Sequence, residues 1–422
     1  MQARTVTETE KVKEFRHRIR EEGLIFWERP DVLAILDPQT AQRVEALNYA
    51  DLTMFDDVAD VLRGRESAPF NWNKLRQGWL GQMRHLNDTD GLRTIAGRMD
   101  AILAAEAGRE QDLLWLGERV AVEPLIPAII DGLGPIDRRW VVSEVFSKIA
   151  WFLSDVDDGR VSSWHKPKMI TLQVLAGLAV RRELKGRLSG RRPRRKDLTD
   201  PVVDMIPTLG LGRAVDAVTS LLTAVTGSPG AAAACLLFEL DRNPEWRAKM
   251  EAELGAIPLD EFCTSPTRLA PITGRFVKEV LRIWSTPPVV VREVRTDLEH
   301  GDVCLKKGQQ YVLSSYMLHH GEQDWGNADV FDPDRWLAEA RRSGQCPHGS
   351  YVPFGWAPKS CIGANLGMAQ MMLLAHFVCT RYALRVPEHG HGSMAVASLV
   401  RPRDFRGAIV RRDGTTQGAN AA

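Results

Sequence analysis

The most informative segment of the chain is Phe354-Gly355-Trp356-Ala357-Pro358-Lys359-Ser360-Cys361-Ile362-Gly363. An apolar run over residues 364–378 follows it directly. The glycines and the proline predict a loop, and the run predicts a helix that begins just after Cys361. A thiol at a helix N-terminus lies near free backbone N–H groups and the positive end of the helix dipole, which favours the thiolate. Cys361 is therefore a candidate nucleophile or metal ligand.

The composition is that of an ordinary globular protein of 422 residues, with 44% hydrophobic residues, 26% charged residues and a formal net charge of +1. This balanced charge gives no reason to expect nucleic acid or an anionic membrane as a partner. The segment 181–196 contains nine basic residues but no aromatic residue. We therefore expect a solvated helix end and loop there rather than a nucleic-acid site.

The six cysteines, at positions 235, 263, 304, 346, 361 and 379, are scattered and form no Cys-x-x-Cys pair. A zinc site or a disulfide framework is therefore not expected, and a reducing cytosol is the simpler setting. Residues 1–22 are charged throughout and lack the apolar core of a signal peptide, and no uninterrupted apolar stretch approaches the length of a membrane span. We expect a soluble, cytoplasmic protein with no membrane partner.

Helical periodicity dominates the chain. Apolar residues recur at spacings of three and four in the segments 91–107, 112–133, 140–153, 167–188 and 200–240. Short β-like segments occur at 24–27, 32–36, 289–294, 303–305 and 310–314. Lys306-Lys307-Gly308 predicts a hairpin turn between the last two of these segments. The predicted fold class is therefore mainly α with small β-sheets.

Two further motifs precede the cysteine loop. Glu279-x-x-Arg282 lies on a predicted amphipathic helix that ends at Pro287-Pro288, and Phe331-Asp332-Pro333-Asp334-Arg335-Trp336 follows after the β-like segments. Together with the loop at Cys361, this order resembles the C-terminal half of the cytochrome P450 family. The resemblance implies a mainly α fold in which haem b lies between a long distal helix and the loop and helix at the cysteine.

The same resemblance sets the expected domain boundaries. It is dense over residues 200–382 and traceable from about residue 22 onward, which implies a single P450 domain at 23–412 preceded by an N-terminal extension at 1–22. Residues 413–422 are small and polar and predict a disordered tail.

The resemblance also assigns a proximal site. Cys361 matches the axial thiolate ligand of the haem iron, which in such enzymes pushes electron density onto the metal and favours cleavage of the O–O bond. Glu279, Arg282 and Arg335 match a buried Glu-Arg-Arg network that holds the cysteine loop in place. Glu279 and Arg282 are three residues apart and therefore share one face of their predicted helix.

Further residues match positions around the haem. Arg292 and Arg93 match arginines that contact the haem propionates, because the planar guanidinium binds a carboxylate through two hydrogen bonds. Lys359 matches the basic position two residues before the cysteine. Phe354 and Ala224 are expected to border the haem, Ala224 in an apolar distal pocket.

The segment Thr226-Gly227-Ser228-Pro229, our candidate for the catalytic residues, departs from the family pattern. Ser228 falls on a threonine and Gly227 on a carboxylate, the acid–alcohol pair that delivers protons during oxygen activation in related oxygenases. Gly-Ser-Pro-Gly by itself predicts two helices joined by a tight turn. The resemblance instead implies one long helix that opens where Pro229 cannot donate to the Val225 carbonyl, and this kinked helix is the structure we expect.

Three functions are compatible with these residues. The expected one is a monooxygenase that oxidises a small organic substrate of the secondary-metabolite type, using dioxygen and electrons from a ferredoxin-type partner, because the sequence shows no flavin or iron–sulfur module. The second is an atypical haem-thiolate enzyme, either peroxide-driven or catalysing cyclisation, rearrangement or dehydration, because Gly227 offers no carboxylate. The third is a non-catalytic haem-binding protein, which the intact Cys361 and its network disfavour.

Overall fold

The computed structural model describes residues 6–48, 72–154, 164–294, 296–337 and 349–412. In chain order the α-helices are α1 Glu10–Glu22, α2 Pro38–Leu47, α3 Trp72–Leu86, α4 Thr89–Glu106, α5 Leu113–Val122, α6 Ile126–Ile129, α7 Pro135–Leu153, α8 His165–Leu188, α9 Asp200–Leu209, α10 Leu211–Ala224, α11 Ser228–Arg242, α12 Pro244–Gly255, α13 Leu259–Phe262, α14 Pro266–Leu269, α15 Pro271–Ile283, α16 Ser315–His319 and α17 Ala364–Thr380. Short 3₁₀ helices lie at Glu123–Leu125, Pro333–Trp336 and Glu388–Gly390. The predicted tail at 413–422 lies outside the described residues.

Small β-sheets lie beside the helices, as the sequence predicts. The strands are β1 Val6–Glu8, β2 Ile25–Arg29, β3 Val32–Ile35, β4 Gln111–Asp112, β5 Val290–Glu293, β6 Leu298–His300, β7 Val303–Leu305, β8 Gln310–Leu313, β9 Tyr382–Arg385, β10 His391–Val396 and β11 Val400–Arg411. One sheet has the order β1-β10-β11-β4, with β9 also paired to β11. A second has the order β2-β3-β8-β5, and β6 pairs with β7. The fold class is therefore mainly α with small sheets.

The hairpin predicted at Lys306-Lys307-Gly308 is wrong. A turn occurs there, with Gly308 at φ +88°, but it joins strands of different sheets. β7 pairs back with β6, whereas β8 lies between β3 and β5. The run Tyr311-Val312-Leu313 explains the difference, because it is buried on both faces and is stabilised by a neighbouring strand on each side.

The described part of the N-terminal segment packs against the rest of the protein. β1 pairs in parallel with β10, and α1 buries Val12 and Phe15 in the main hydrophobic core. Glu8 accepts hydrogen bonds from Arg16 at 3.0 Å and from the Tyr316 hydroxyl at 2.9 Å, which joins β1 to α1 and α16. This part of the predicted extension is thus integrated into the fold.

The basic segment at the end of α8 is closely paired with carboxylates. Arg187 is buried and contacts Glu183 at 2.8 Å and Asp197 at 2.6 Å. Arg194, nearer the surface, contacts Asp204 at 2.9 Å. These ion pairs reduce the positive charge that the segment presents to solvent.

The pair of helices α10 and α11 forms part of the core. The segment Leu211–Arg242 is apolar and long enough to cross a membrane by length and composition, with a mean hydropathy of 1.6 over its most apolar window. However, 72% of that window is buried inside the protein. Core packing therefore accounts for the hydrophobicity of this segment.

Candidate active site

Cys361 lies in the loop that leads into α17, which begins at Ala364. Its backbone N–H donates to the Phe354 carbonyl at 2.8 Å and so closes the loop. Burial raises the pKa of the Cys361 thiol, whereas a hydrogen bond from the Gly363 N–H and the nearby Arg76 charge lower it. The Gly363 N–H next to the start of the helix acts in the direction that favours the thiolate, as expected, and burial acts against it. A metal cation bound to the sulfur would favour the thiolate further.

The three charged residues of the predicted network lie together in the interior, each at most 4% exposed. Glu279 and Arg282 in α15 form a bidentate pair with N–O distances of 2.8 and 3.0 Å, and Arg335 Nε donates to Glu279 Oε1 at 3.1 Å. Glu279 also accepts hydrogen bonds from the Asp332 N–H at 2.9 Å and from Trp336 Nε1 at 3.0 Å. Removing this one carboxylate would leave two buried guanidinium groups without their anion.

The network continues to the cysteine loop through His319, a fully buried residue that no motif in the sequence singles out. Arg282 Nη1 donates to the His319 carbonyl at 2.7 Å. His319 Nε2 accepts the Val352 N–H at 2.8 Å, and the Val352 carbonyl accepts the Gly355 N–H at 3.1 Å. Burial and then the Arg282 charge lower the pKa of His319 well below its usual value. The ring is therefore neutral, as an acceptor at Nε2 requires.

A cavity of about 410 Å³ lies above the cysteine loop. It is bordered by Cys361 and Phe354 from the loop side and by Ala224 and Ser228 from α10 and α11, and most of its other lining side chains are apolar. A cavity of this size and lining is typical of a site for a cofactor or a small organic ligand.

One corner of the cavity is polar and carries Arg292, Lys359 and Glu45. Glu45 Oε1 lies 3.4 Å from Arg292 Nε and 3.8 Å from Lys359 Nζ, and it accepts a hydrogen bond from the Tyr311 hydroxyl at 2.6 Å. Arg292 Nε is buried but makes no hydrogen bond to any residue that the structure describes. Arg292 and Lys359 both line the cavity here, so this corner is suited to an anionic group.

Arg93, predicted at the edge of the haem, lies elsewhere. It is on the surface of α4, where it contacts Asp90 at 3.1 Å and Asp260 at 3.2 Å, and it does not line the cavity. Arg76 of α3 instead reaches the cysteine loop, where its Nη2 donates to the Ser360 carbonyl at 2.6 Å. The assignment of Arg93 is therefore corrected, because the preceding helix carries the arginine next to the cysteine.

The helix that passes over the cavity is broken between α10 and α11. α10 ends at Ala224, and Gly227 takes a left-handed φ of +86° before α11 begins at Ser228. The continuous, kinked helix that we expected is wrong, because a residue with this φ cannot continue a right-handed helix and Pro229 has no N–H to donate. The local sequence Gly227-Ser228-Pro229-Gly230 predicts two helices joined by a tight turn, and this prediction agrees with the structure.

The three candidate catalytic residues lie at this break, but they do not all reach the cavity. Ser228 lines it. Gly227 is buried instead against Leu399, where a Cβ at position 227 would lie 2.6 Å from Leu399 Cδ1. The Thr226 hydroxyl donates to the Thr223 carbonyl at 2.6 Å and so caps the end of α10. Of these three candidates, Ser228 is therefore the one that the structure places at the cavity.

Comparison with protein families shows which family the chain belongs to. The family model for cytochrome P450 matches residues 146–403, which is more than half of the chain. The chain belongs to the cytochrome P450 family. The matched region contains the broken distal helix, the Glu279 network and the Cys361 loop.

Curated P450 relatives match over shorter stretches. The chain is 34% identical over 154 residues to steroid 17-alpha-hydroxylase/17,20 lyase of Ictalurus punctatus, which covers 36% of this chain and 30% of that protein. It is 31% identical over 174 residues to cytochrome P450 714C3 of Oryza sativa subsp. japonica, which covers 40% of this chain and 33% of that protein. The matches thus span about a third of the length of these relatives.

Solved P450 structures share nearly the whole fold. Cyanobacterial CYP120A1 with bound retinoic acid has a TM-score of 0.74 at 17% identity and covers 94% of both chains. A zebrafish cytochrome P450 with progesterone has a TM-score of 0.73 at 16% identity and covers 95% of this chain and 100% of that one. At such low sequence identity, this structural likeness establishes the fold alone.

The P450 family binds haem b, and the residues around this cavity fit that group. Cys361 would supply the sulfur ligand for the iron, and Arg292, whose buried Nε makes no hydrogen bond within the described residues, would donate to a propionate. Lys359 and Arg76 add positive charge on the same side of the site as the cysteine loop. Ser228 lies on the distal helix, where a substrate would approach.

Proposed function

We propose that this P450 is a monooxygenase that oxidises a small organic substrate with dioxygen. The observation that carries the proposal is the support of Cys361, whose loop is tied through Val352 and His319 to the buried pair of Glu279 and Arg282. Such a network serves to hold one ligand in one geometry. When bound, haem supplies the iron centre at which dioxygen is activated.

The protein's own residues have separate tasks in this proposal. Cys361 is the thiolate ligand, which raises the electron density at the metal. Arg292 and Lys359, which line the polar corner of the cavity, would hold the propionates and so orient the ring, and Arg76 would hold the cysteine loop through the Ser360 carbonyl. The apolar walls exclude water from the reacting groups, and Ser228 holds a hydroxyl proton at the distal side.

We further propose that the substrate is a small apolar compound of the secondary-metabolite type. The distal wall carries short apolar side chains at Ala224, Val225 and Ala232, which leave room for an apolar molecule. The steroid hydroxylase among the relatives and the retinoic acid and progesterone in the similar structures support an apolar ligand. A ferredoxin-type protein would supply the electrons, and the reaction would take place in the cytoplasm without a membrane or nucleic-acid partner.

A second candidate function has one observation in its favour. Gly227 offers no carboxylate and is turned away from the cavity against Leu399, so the usual acid of the distal site is absent from that position. An enzyme without that acid could use peroxide, which brings its own protons, or catalyse a redox-neutral rearrangement, cyclisation or dehydration.

Isotopically labelled oxygen separates these functions. Progesterone and retinoic acid serve as apolar probes, with ferredoxin, ferredoxin reductase and NADPH as the electron source. A product that carries one labelled atom from dioxygen supports the monooxygenase. Label that enters only from hydrogen peroxide supports the peroxide-driven enzyme, and an isomerised or dehydrated product without label supports the redox-neutral one. Cys361→Ala is the matched control and should form no product in any arm.

A further inference from the structure

Glu118 is a buried carboxyl group behind the broken distal helix. It lies on α5, which packs against the first turns of α11 so closely that a Cβ at Gly117 would lie 2.9 Å from the Gly230 carbonyl oxygen. The Glu118 side chain fills the space beside Gly230, where a Cβ would overlap its carboxyl group. Only glycine at position 230 is compatible with this placement of Glu118.

The carboxyl group of Glu118 has no hydrogen-bond partner in the protein. The side chain is fully buried, and neither of its oxygens accepts or donates a hydrogen bond within the part of the chain that the structure describes. A buried, unpartnered carboxylate is very unfavourable, so the group is stable there as the neutral acid. Burial accordingly raises the pKa of Glu118 well above its usual value, and the Arg401 charge opposes this shift.

Few charged groups face Glu118. From β11 the Arg401 guanidinium, which also donates to the Leu153 carbonyl, is the cation on this side of α5. From α11 the Cys235 thiol is the neighbouring titratable group, and burial keeps it protonated. Other described titratable groups near α5 are paired elsewhere: Glu106 and Glu123 contact Arg119, Asp112 accepts the Leu114 N–H, and Glu239 of α11 accepts a hydrogen bond from Trp284 Nε1.

Glu118 lies beside Gly230, close in the chain to residues that line the haem cavity. Ser228 and Pro229, which line the cavity, immediately precede Gly230 in the first turn of α11. On α5 itself, Val120 and Ala121 also line the cavity. The break at Gly227 interrupts the backbone hydrogen bonds of the distal helix between the side that faces Glu118 and the side that faces the cavity.

We propose that Glu118 stores the proton that Ser228 delivers to the distal pocket, and so takes over the task of the carboxylate that is absent at position 227. The proposal rests on the proposed function. The O–H bond of Glu118 breaks, a water molecule at the break carries the proton to the Ser228 oxygen, and Ser228 passes its own hydroxyl proton to the reacting oxygen. The Glu118 carboxylate is then left facing Arg401 until it takes a proton back from solvent. Only protons move in this relay. Glu118 does not touch the reacting oxygen and acts on it only through Ser228, so it is a positioning residue.

The test uses the haem-loaded protein and needs no substrate. Reduced protein is mixed with oxygenated buffer, and the return of the ferric spectrum is followed by stopped-flow in H₂O and in D₂O over a range of pH. Glu118→Gln keeps the size of the side chain but removes its acidic proton. In Glu118→Gln we expect the ferric spectrum to return about tenfold more slowly than in the wild type, and the solvent isotope effect on this rate to be lost. Glu118→Asp should recover part of the rate.

The matched control is Glu106→Gln, which removes a carboxylate that faces Arg119 rather than α11. It should keep the wild-type rate and isotope effect. Glu118→Gln with an unchanged rate and isotope effect would overturn the proposal. The proposed function can fail separately, because a wild type that inserts no labelled atom from dioxygen contradicts the monooxygenase, whereas slow return in Glu118→Gln still supports the role of Glu118.

An infrared measurement gives a second readout that a structural role would not change. Carbon monoxide bound to the reduced protein is released by light, and the difference spectrum is recorded in the region of protonated carboxyl groups. We expect a band in the wild type that is absent in Glu118→Gln and present in Glu106→Gln. A wild-type spectrum without a carboxyl band would overturn the coupling between Glu118 and the distal pocket.

Discussion

Arg282 donates to the His319 carbonyl at 2.7 Å, and this hydrogen bond joins the buried ion-pair network to the cysteine loop. The His319 ring then accepts the Val352 N–H at 2.8 Å. His319 therefore contacts the ion-pair network through its backbone carbonyl and the cysteine loop through its side chain. The position of Cys361 therefore depends on a residue that touches neither the sulfur nor the cavity.

Substitution of His319 should loosen the loop and weaken haem binding. His319→Leu leaves the Val352 N–H without its acceptor, so we expect a loss of about 1–3 kcal/mol in the free energy of unfolding and faster haem dissociation. His376→Leu is the control, because that buried ring contacts the Ile257 carbonyl at 2.9 Å, away from the loop. Urea denaturation and haem transfer to apomyoglobin measure the two quantities. Equal haem dissociation in both variants would contradict the role of His319.

Arg76 and Arg93 should differ in their effect on haem affinity. Arg76 lies beside the cysteine loop, so Arg76→Ala should raise the haem dissociation constant by about tenfold to a hundredfold, as expected for loss of a charged hydrogen bond. Arg93→Ala removes surface ion pairs and should change the affinity by less than about twofold. Titration of the apoprotein with haem measures the affinity of both variants. A larger loss of affinity in Arg93→Ala than in Arg76→Ala would restore Arg93 to the site.

Introducing a carboxylate at position 227 should harm the fold rather than repair the proton relay. Gly227 has φ +86°, and its Cβ would lie 2.6 Å from Leu399 Cδ1. Gly227→Asp should therefore reduce the free energy of unfolding by about 1–3 kcal/mol or more. Gly97→Asp, where a Cβ meets open space in α4, should cost far less. Urea denaturation compares them, and faster product formation in Gly227→Asp would refute this account of the break.

The stability of the protein should depend on pH through Glu118. The pKa of Glu118 is raised in the folded state, whereas the unfolded carboxyl ionises above its ordinary value of 4.5. Between these two pKa values the unfolded chain binds fewer protons, so stability falls as pH rises, by up to about 1.4 kcal/mol per pH unit. Glu118→Gln removes this slope and should gain stability relative to the wild type as pH rises. Parallel pH profiles of unfolding for the two proteins would contradict a neutral, buried Glu118.

The parts of the site that the sequence predicts are those with fixed spacing. Glu279 and Arg282 share a helix face because they are three residues apart, and their charges then pair wherever that face is buried. Arg335 follows a proline-containing motif whose Asp332 caps a short 3₁₀ helix, which fixes its direction locally. For these residues, helix spacing, helix capping and opposite charge are enough to predict the contact from the sequence.

Other parts depend on contacts that no local pattern encodes. Asp88 accepts the Gly91 N–H at 2.8 Å and caps α4, so the residues before Arg93 are explained as a helix start and say nothing about haem. Arg76 reaches a carbonyl 284 residues away in the sequence. His319 and Glu118 have ordinary sequence surroundings and gain their roles only through burial. At Gly227 the local turn signal agrees with the structure, whereas the resemblance to an unbroken distal helix does not.

The absorption spectrum of the reduced, carbon-monoxide-bound protein tests the central claim, that Cys361 is the haem ligand. With Cys361 as the axial thiolate, the Soret band should lie at the position typical of thiolate-ligated haem. Cys361→His should move it to the position of histidine-ligated haem, while Cys263→Ser, which alters a buried thiol outside the cavity, should leave it unchanged. A wild-type band at the histidine position, or one that persists in Cys361→His, would contradict the account.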